Sequence, residues 1–281
     1  GDPVSEIDAH TSLRNAMHRL VLEGGATEKF TPIRFAERDF EIFHTESTSD
    51  TALAILIDLS GSMMRYGRHI AAKRIALGMA SLVREKFPLD TVDFIGFAST
   101  AEALSEKDLP LVMPKPITTR EWDIRVRVPL AQAKQTHPHF TNLHHALRLG
   151  RERLRRRGAM NKQMFIITDG QPTAHLSAMG GSLLGMTTSD PDSVMLNLVY
   201  PPSPRSAEAT LAEAHRCAQE GIRISSFALI EEYDAMDWVG FVDQMTRVVK
   251  GVAFYCAAGD LGSTIMESYL AGKRTKKAIG V

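Results

Sequence analysis

The sequence predicts an α/β fold, a mostly parallel sheet with helices packed on both of its faces. Three observations predict it. Ala52-Leu-Ala-Ile-Leu-Ile-Asp58 holds six apolar residues without a break. A run with no polar alternation reads as a strand covered on both sides, as at the centre of a parallel sheet. Gln163-Met-Phe-Ile-Ile-Thr-Asp169 is a second buried run, and it too ends in an aspartate. Strand and helix segments then alternate along most of the chain, the order that lays helices over both faces.

In chain order, residues 8–24 have the spacing of an amphipathic helix, with Leu13, Met17, Leu20 and Val21 on one face and Gly24-Gly25 as its stop. Between Ile33 and His44, Phe40, Ile42 and His44 alternate with polar residues. This pattern predicts a half-exposed strand entering the main sheet from one edge. Residues 1–47 thus read as an N-terminal helix-and-strand extension. The run ending at Asp58 follows, then a helix over 68–87 with Ala71, Ile75, Gly78 or Met79, and Leu82 or Val83 inward and Pro88 as terminator. Asp90 to Ala98 is a second strand. Residues 100–140 carry five prolines and only short apolar pieces. They predict a short edge strand near 101–104, a helical turn near 129–135 and otherwise a long surface excursion, a kind of insertion that is more often functional than idle. A helix runs from Thr141-Asn142 to about Arg157, with Leu143, Leu147, Gly150 and Leu154 facing the core. After the strand ending at Asp169, residues 171–203 read as a second irregular insertion. Helix, strand, helix, strand and helix follow over about 205–220, 223–230, 236–249, 252–257 and 261–270. Residues 271–281 form a basic tail, expected to fray.

The chain has 281 residues, with 33 Lys+Arg against 33 Asp+Glu. That length allows one large α/β domain plus an extension, or two small domains. The balanced charge gives no global field toward nucleic acid or an anionic membrane. Cys217 and Cys256, far apart, suit neither a disulfide scaffold nor a zinc site; both are expected as small core residues in a reducing, cytoplasmic setting. No apolar run approaches the length of a membrane span, and no N-terminal secretory pattern is present. The chain opens Gly1-Asp2-Pro3 rather than with Met, which suggests a piece of a longer protein or a Gly1 left from a tag.

At the end of the first buried strand, Asp58-Leu-Ser60-Gly61-Ser62 offers a carboxylate and two hydroxyls at alternate positions. Gly61 allows the bend that points them the same way, and ligand sites in open α/β sheets gather at carboxyl ends of strands. One carboxylate with neutral hydroxyls suits a hard, oxygen-seeking cation, Mg²⁺ first. The bland alternative is a capped strand-to-helix turn, since Asp and Ser are common helix caps. Three polar loops are expected to meet at one sheet edge: 58–62, around 141, and 169–173.

Together, Asp-x-Ser-Gly-Ser after the first strand, Thr141-Asn-Leu opening a helix and Ile-Thr-Asp169-Gly after a later strand resemble the metal-ion-dependent adhesion site of von Willebrand factor A domains. The resemblance covers about residues 48–270. It implies a Rossmann-like, doubly wound, six-stranded sheet with one short antiparallel strand. It also implies direct coordination of Mg²⁺ (Mn²⁺ or Ca²⁺ as alternatives) by Ser60 and Ser62, with Asp58, Thr141 and Asp169 binding directly or through water. A partner's Asp or Glu would complete the metal shell, in protein recognition rather than catalysis. Asp-Leu-Ser-Gly-Ser-Met, Ile-Thr-Asp-Gly-Gln-Pro-Thr173 and the later Tyr-Pro-Pro resemble bacterial intracellular members that partner MoxR-type AAA+ ATPases; chelatase subunits are more distant. The chain has no Gly-x-x-x-x-Gly-Lys-[Ser/Thr], so ATP binding would belong to such a partner.

Two other function classes stay in view. A Mg²⁺-dependent hydrolase or phosphotransferase could use Asp58, but aspartyl-phosphate chemistry on a similar fold needs a carboxylate two residues on, where this chain has Ser60. A purely structural domain would use the metal only to stiffen three loops. His137, His139, His144 and His145 crowd Thr141 without a zinc spacing and are expected on a polar loop and first helical turn. Arg148, Arg151, Arg153, Arg155, Arg156 and Arg157 are expected on the solvated face and last turn of a helix rather than against nucleic acid. Trp122 is the better interface candidate and Trp238 a packing residue; Met63-Met64 is expected in the core.

Overall fold

β1 (Thr51–Asp58) is buried at all eight positions, as its unbroken apolar run requires. The computed structural model describes residues 9–22, 35, 36, 39, 50–179, 193–229, 236–249, 251–256 and 261–272. The chain divides into two units, Gly1–Thr48 with Thr275–Val281, and Ser49–Arg274.

In the larger unit, β1 pairs in parallel with β2 (Thr91–Phe97) on one side and β5 (Asn161–Thr168) on the other. Beyond β2 lies the short antiparallel β3 (Ala101–Leu104). Beyond β5 lie β8 (Ile222–Leu229) and β9 (Val252–Cys256), both parallel. The sheet order is β3-β2-β1-β5-β8-β9. The chain leaves β1 in one direction and returns on its other side with β5, so the topological switch point, where such sheets bind ligands, lies between the ends of β1 and β5.

Alternate residues of β1 enter different cores, as a period of two dictates. Ala52, Ala54 and Leu56 pack under α3 (Leu143–Arg155), α4 (Pro204–Gln219) and α5 (Met236–Val249). Leu53, Ile55 and Ile57 pack under α2 (Arg68–Lys86) and α6 (Leu261–Gly272). Gly150 lets α3 lie close to the sheet: a Cβ there would stand 2.8 Å from Met164 Cε. On α2 the buried side chains are Arg68, His69, Ala72, Ala76, Met79, Ala80 and Val83. Of the expected face, Met79 and Val83 are buried, Ala71, Ile75 and Leu82 only partly so, and Gly78 is exposed.

Both insertions depart from the irregular excursions expected of them. Residues 124–129 form β4 (Ile124–Pro129), and 171–203 contains β6 (Ala174–Ala178) and β7 (Val194–Tyr200). These strands pair antiparallel in the order β4-β7-β6, a second sheet made jointly by the two insertions. Ile124, Phe140, Ala174, Leu176, Val194, Leu196 and Leu198 form its own small core. The signal was the alternation in Ile124-Arg-Val-Arg-Val128 and Val194-Met-Leu-Asn-Leu198, which the surrounding prolines obscured. The expected helical turn is a 3-10 segment, Leu130–Gln135.

In the smaller unit, α1 (Ala9–Leu22) buries Ser12 and Ala16, one turn apart, while Leu13 and Met17 are 39% and 52% exposed. The face expected from Leu13 and Met17 is therefore not the buried one. Arg19 on this helix holds Asp39 through Nε and Nη2, both at 2.9 Å. Asp39 N also donates to Ala36 O at 2.9 Å, a turn rather than strand pairing. The rest of the strand expected over 33–44, with Phe40, Ile42 and His44, lies outside the described residues, as do 273–281 of the basic tail.

Candidate functional site

β1 ends in a buried carboxylate. Asp58 Oδ1 accepts a hydrogen bond from Ser60 N at 2.7 Å, which folds the chain back on itself, and Oδ2 accepts from the Thr168 hydroxyl at the end of β5. Gly61 N donates to His139 O, and a Cβ on Gly61 would fall 2.6 Å from Ile117 Cγ1. Glycine is needed there for close approach. The chain continues through a 3-10 segment, Gly61–Gly67, into α2.

The five residues singled out in the sequence come together at the switch point. Ser60 Oγ and Ser62 Oγ are 3.1 Å apart, and Ser62 Oγ donates to Asp169 Oδ1 at 2.7 Å. A Cβ on Gly170 would lie 3.9 Å from both Ser62 Oγ and Thr141 Oγ1, so these hydroxyls border one point. Thr141 is pinned from both sides. Its N donates to Thr173 Oγ1 at 2.9 Å, and its O accepts from Thr173 N and Ala174 N. Asn142 then caps α3, its side chain accepting from His145 N and donating to Ser99 O.

Burial pushes the Asp58 carboxyl up to about 7, and the nearby charge of Asp169 adds to this; hydrogen bonds from Thr168 and Ser60 oppose it. Two carboxylates and three hydroxyls are thus gathered where negative charge is under-compensated. Among the described residues, the one cation bonded to them is Arg68, whose Nη1 donates to Asp169 Oδ2 at 2.7 Å. Its Nε and Nη2 are buried with no hydrogen-bond partner among the described residues. An all-oxygen donor set with uncompensated negative charge fits a hard divalent cation. Sequence reasoning missed Arg68. Its signal was a basic residue at the first position of a helix, where the macrodipole disfavours cations.

Beside these hydroxyls opens a cavity of about 590 Å³, lined among others by Ser62, Thr141, Arg65, Arg120, Trp122 and Tyr200. Trp122 is 82% exposed at its rim. Met63 is in the core as expected, but Met64, next to it, is exposed.

The four histidines do not form one cluster. His144 and His145 are buried, not on the surface: His144 Nδ1 accepts from Leu176 N and His145 Nδ1 from Ala101 N, both at 3.1 Å. Burial drives their pKa values down to about 3 and about 4, so both are neutral acceptors. His137 and His139 share the Thr118 hydroxyl. Among the described residues no group of three or more His, Cys, Asp or Glu is placed to hold a metal.

The arginines are only in part a solvated face. Arg153 and Arg157 clamp Asp93 on β2, Arg151 bridges Glu213 and Glu220 of and after α4, and Arg148 pairs with Glu152. Arg155, Arg156 and Arg157 are exposed at the end of the helix as expected, while Arg148, Arg151 and Arg153 lie against their partners, so part of the cluster ties α3 to its neighbours. Cys217 is buried, and burial raises its thiol pKa. The side chains of Trp238 and Cys256 lie outside the described residues.

Comparison with known proteins agrees with this architecture. The uncharacterized protein Rv0959 of Mycobacterium tuberculosis is 29% identical over 242 residues, 86% of this chain and 31% of its own length. The chain therefore spans about a third of the curated relatives it matches. Among solved structures, the PilB minor pilin of Streptococcus sanguinis superposes with a TM-score of 0.58 at 15% identity, covering 84% of this chain and 64% of that one. The vWF domain of the type V pili tip protein Mfa5 from Porphyromonas gingivalis gives 0.54 at 13%, covering 82% and 98%. These similarities carry the fold. A family model described as "Rv0959-like protein, vWA domain" matches residues 51–270, and the chain belongs to that family of von Willebrand factor A domains.

Proposed function

We propose that this domain is a divalent-metal-dependent protein-interaction module. Asp58, Ser60, Ser62, Thr141 and Asp169 would hold the ion, with Mg²⁺ first and Mn²⁺ or Ca²⁺ as alternatives. The ion would supply an electrophilic centre that a partner's Asp or Glu completes. One observation carries this reading: oxygen side chains from three loops converge at the switch point, around under-compensated carboxylates. The adjoining cavity and the exposed Trp122 supply a place for the rest of the partner. A von Willebrand factor A domain is commonly an interaction module, and a non-catalytic role agrees with Ser60 standing where an aspartyl-phosphate enzyme needs a second carboxylate.

For the wider setting we propose an adaptor or substrate-recruiting subunit of a MoxR-type AAA+ ATPase in the cytoplasm. That step rests on the motif resemblance alone. No described helix is long and apolar enough to cross a membrane.

The test is a pull-down from native lysate with wild type in Mg²⁺, wild type in EDTA, and Asp58→Ala in Mg²⁺. A partner retained only in the first arm is the expected result, with an AAA+ ATPase among the captured proteins for the wider proposal. The same partners in all three arms would refute metal-gated recognition. Asp58→Ala is expected to abolish Mg²⁺ binding by calorimetry while keeping a cooperative unfolding transition.

A further inference from the structure

Arg68 is an unusual residue in its place. Its side chain is 4% exposed and bonds Asp169, whose own side chain is fully buried. It stands first in α2, where the helix dipole repels a cation. Two of its three guanidinium nitrogens are buried with no hydrogen-bond partner among the described residues, an arrangement that ordinarily costs free energy. The chain reaches this position through two successive left-handed residues, Tyr66 at φ 53° and Gly67 at φ 67°. The Tyr66 ring lies 5.3 Å from the guanidinium carbon. The turn therefore directs a positive charge onto one of the carboxylates of the metal reading.

We propose that Arg68 is a built-in counter-ion that makes metal loading and capture of a partner's carboxylate depend on each other. The inference rests on the metal reading above. Without metal, Arg68 is the counter-ion of Asp169, bonded to it in a buried pair. A divalent ion held by two carboxylates beside Arg68 gives a centre with one positive charge in a buried place, which is unfavourable unless an anion follows. One carboxylate from a partner restores neutrality. Had the chain an apolar residue here, the ion alone would neutralise both aspartates and the centre would load without a partner. The site so built recognises a single side-chain carboxylate rather than a neutral or dianionic group.

The test is Mn²⁺ calorimetry on the full chain in sodium chloride and in sodium acetate of equal ionic strength, acetate standing in for the partner's carboxylate. Wild type is expected to bind Mn²⁺ several-fold more tightly in acetate. Arg68→Met is expected to bind Mn²⁺ at least about tenfold more tightly than wild type in chloride, since a like charge beside the ion is removed, and to lose the acetate effect. Its metal-free melting temperature should fall and Mn²⁺ should restore it. Tyr66→Gly, which removes the exposed ring and keeps the left-handed turn, serves if Arg68→Met does not fold; it should shift both quantities in the same direction by less. Equal or weaker Mn²⁺ binding by the Arg68 variant, or an acetate effect of unchanged size, overturns the proposal and leaves the metal reading standing. Absence of Mn²⁺ binding to wild type and variants alike overturns both.

Discussion

In the central sheet, β5 is buried at every position but one, and its neighbour β1 at every position. In the three-stranded sheet, β7 alternates buried and half-buried side chains, and β4 turns Arg125 and Arg127 outward from Ile124, Val126 and Val128. The first is covered on both faces and the second on one. The difference separates rigidity from variability. A strand packed on both sides tolerates little change, whereas a one-faced sheet can present any outward side chain to a partner. The candidate site lies on the seam between them. Asp58 and Asp169 come from the ends of the rigid strands. Thr141 is tied to the small sheet through Thr173, whose carbonyl in turn accepts from Val199 N of β7 at 2.8 Å.

Truncation on each side of the seam is the strongest way to break this comparison. Phe165 stacks edge-on with Phe227 at 5.3 Å in the central core. Phe165→Ala should cost about 3–5 kcal/mol and shift the global urea midpoint. Leu196→Ala in the small core should cost about 2–4 kcal/mol, but locally. Hydrogen exchange should lose protection over 124–129, 174–178 and 194–200 while β1 and β5 keep theirs. Mn²⁺ affinity should also fall, because Thr141 loses its mooring. Global loss of protection in the Leu196 variant would show that the two sheets are one cooperative unit.

Acid sharpens the same contrast, because one buried histidine serves each sheet. His144 accepts from Leu176 of β6, and His145 from Ala101 of β3. Burial lowers both below the ordinary 6.5, to about 3 and about 4. As pH falls below about 6.5 the unfolded chain takes up these protons and the folded one does not, so stability is full above that pH and is lost toward pH 4. Each histidine should contribute on the order of 2–3 kcal/mol to that loss. Urea denaturation at stepped pH should show a shallower decline for His144→Gln than for wild type. Equal slopes would mean that His144 is solvated.

The same contrast explains what could be read in the sequence. Strands β1 and β5 announce themselves because double burial excludes polar residues from them, and their terminal aspartates mark the ligand edge. Asp58, Ser60 and Ser62 are three local residues on one turn, so their convergence follows from the chain itself. Thr141 and Asp169 needed the family pattern, since only the fold brings them near. The small sheet was missed because its two halves are separated by α3 and β5, and pairing across such a distance leaves no local trace beyond alternation. The roles of His144, His145, Arg151 and Arg157 were misjudged for the same reason: their partners Leu176, Ala101, Glu213 and Asp93 are remote in sequence. Arg68 looked like an ordinary helix residue until Asp169 stood beside it.

The gentlest test concerns Trp122, in the stretch between the two sheets' strands that rims the cavity. At 82% exposure the indole contributes little to folding, so Trp122→Ala should leave the melting temperature and Mn²⁺ affinity of the wild type unchanged, with stability within about 0.5 kcal/mol. An exposed aromatic beside a recognition centre is, however, a common binding anchor. The same variant should therefore lose most partner capture in the Mg²⁺ arm of the pull-down, separating the partner's grip on the protein from the metal's. Full capture by Trp122→Ala would move the docking face away from the cavity, toward the exposed Met64 and Tyr66 on the other approach to Ser62. The candidate site residues would be unaffected by that result, because none of the hydrogen bonds that hold Asp58, Ser62, Thr141 or Asp169 among the described residues passes through Trp122.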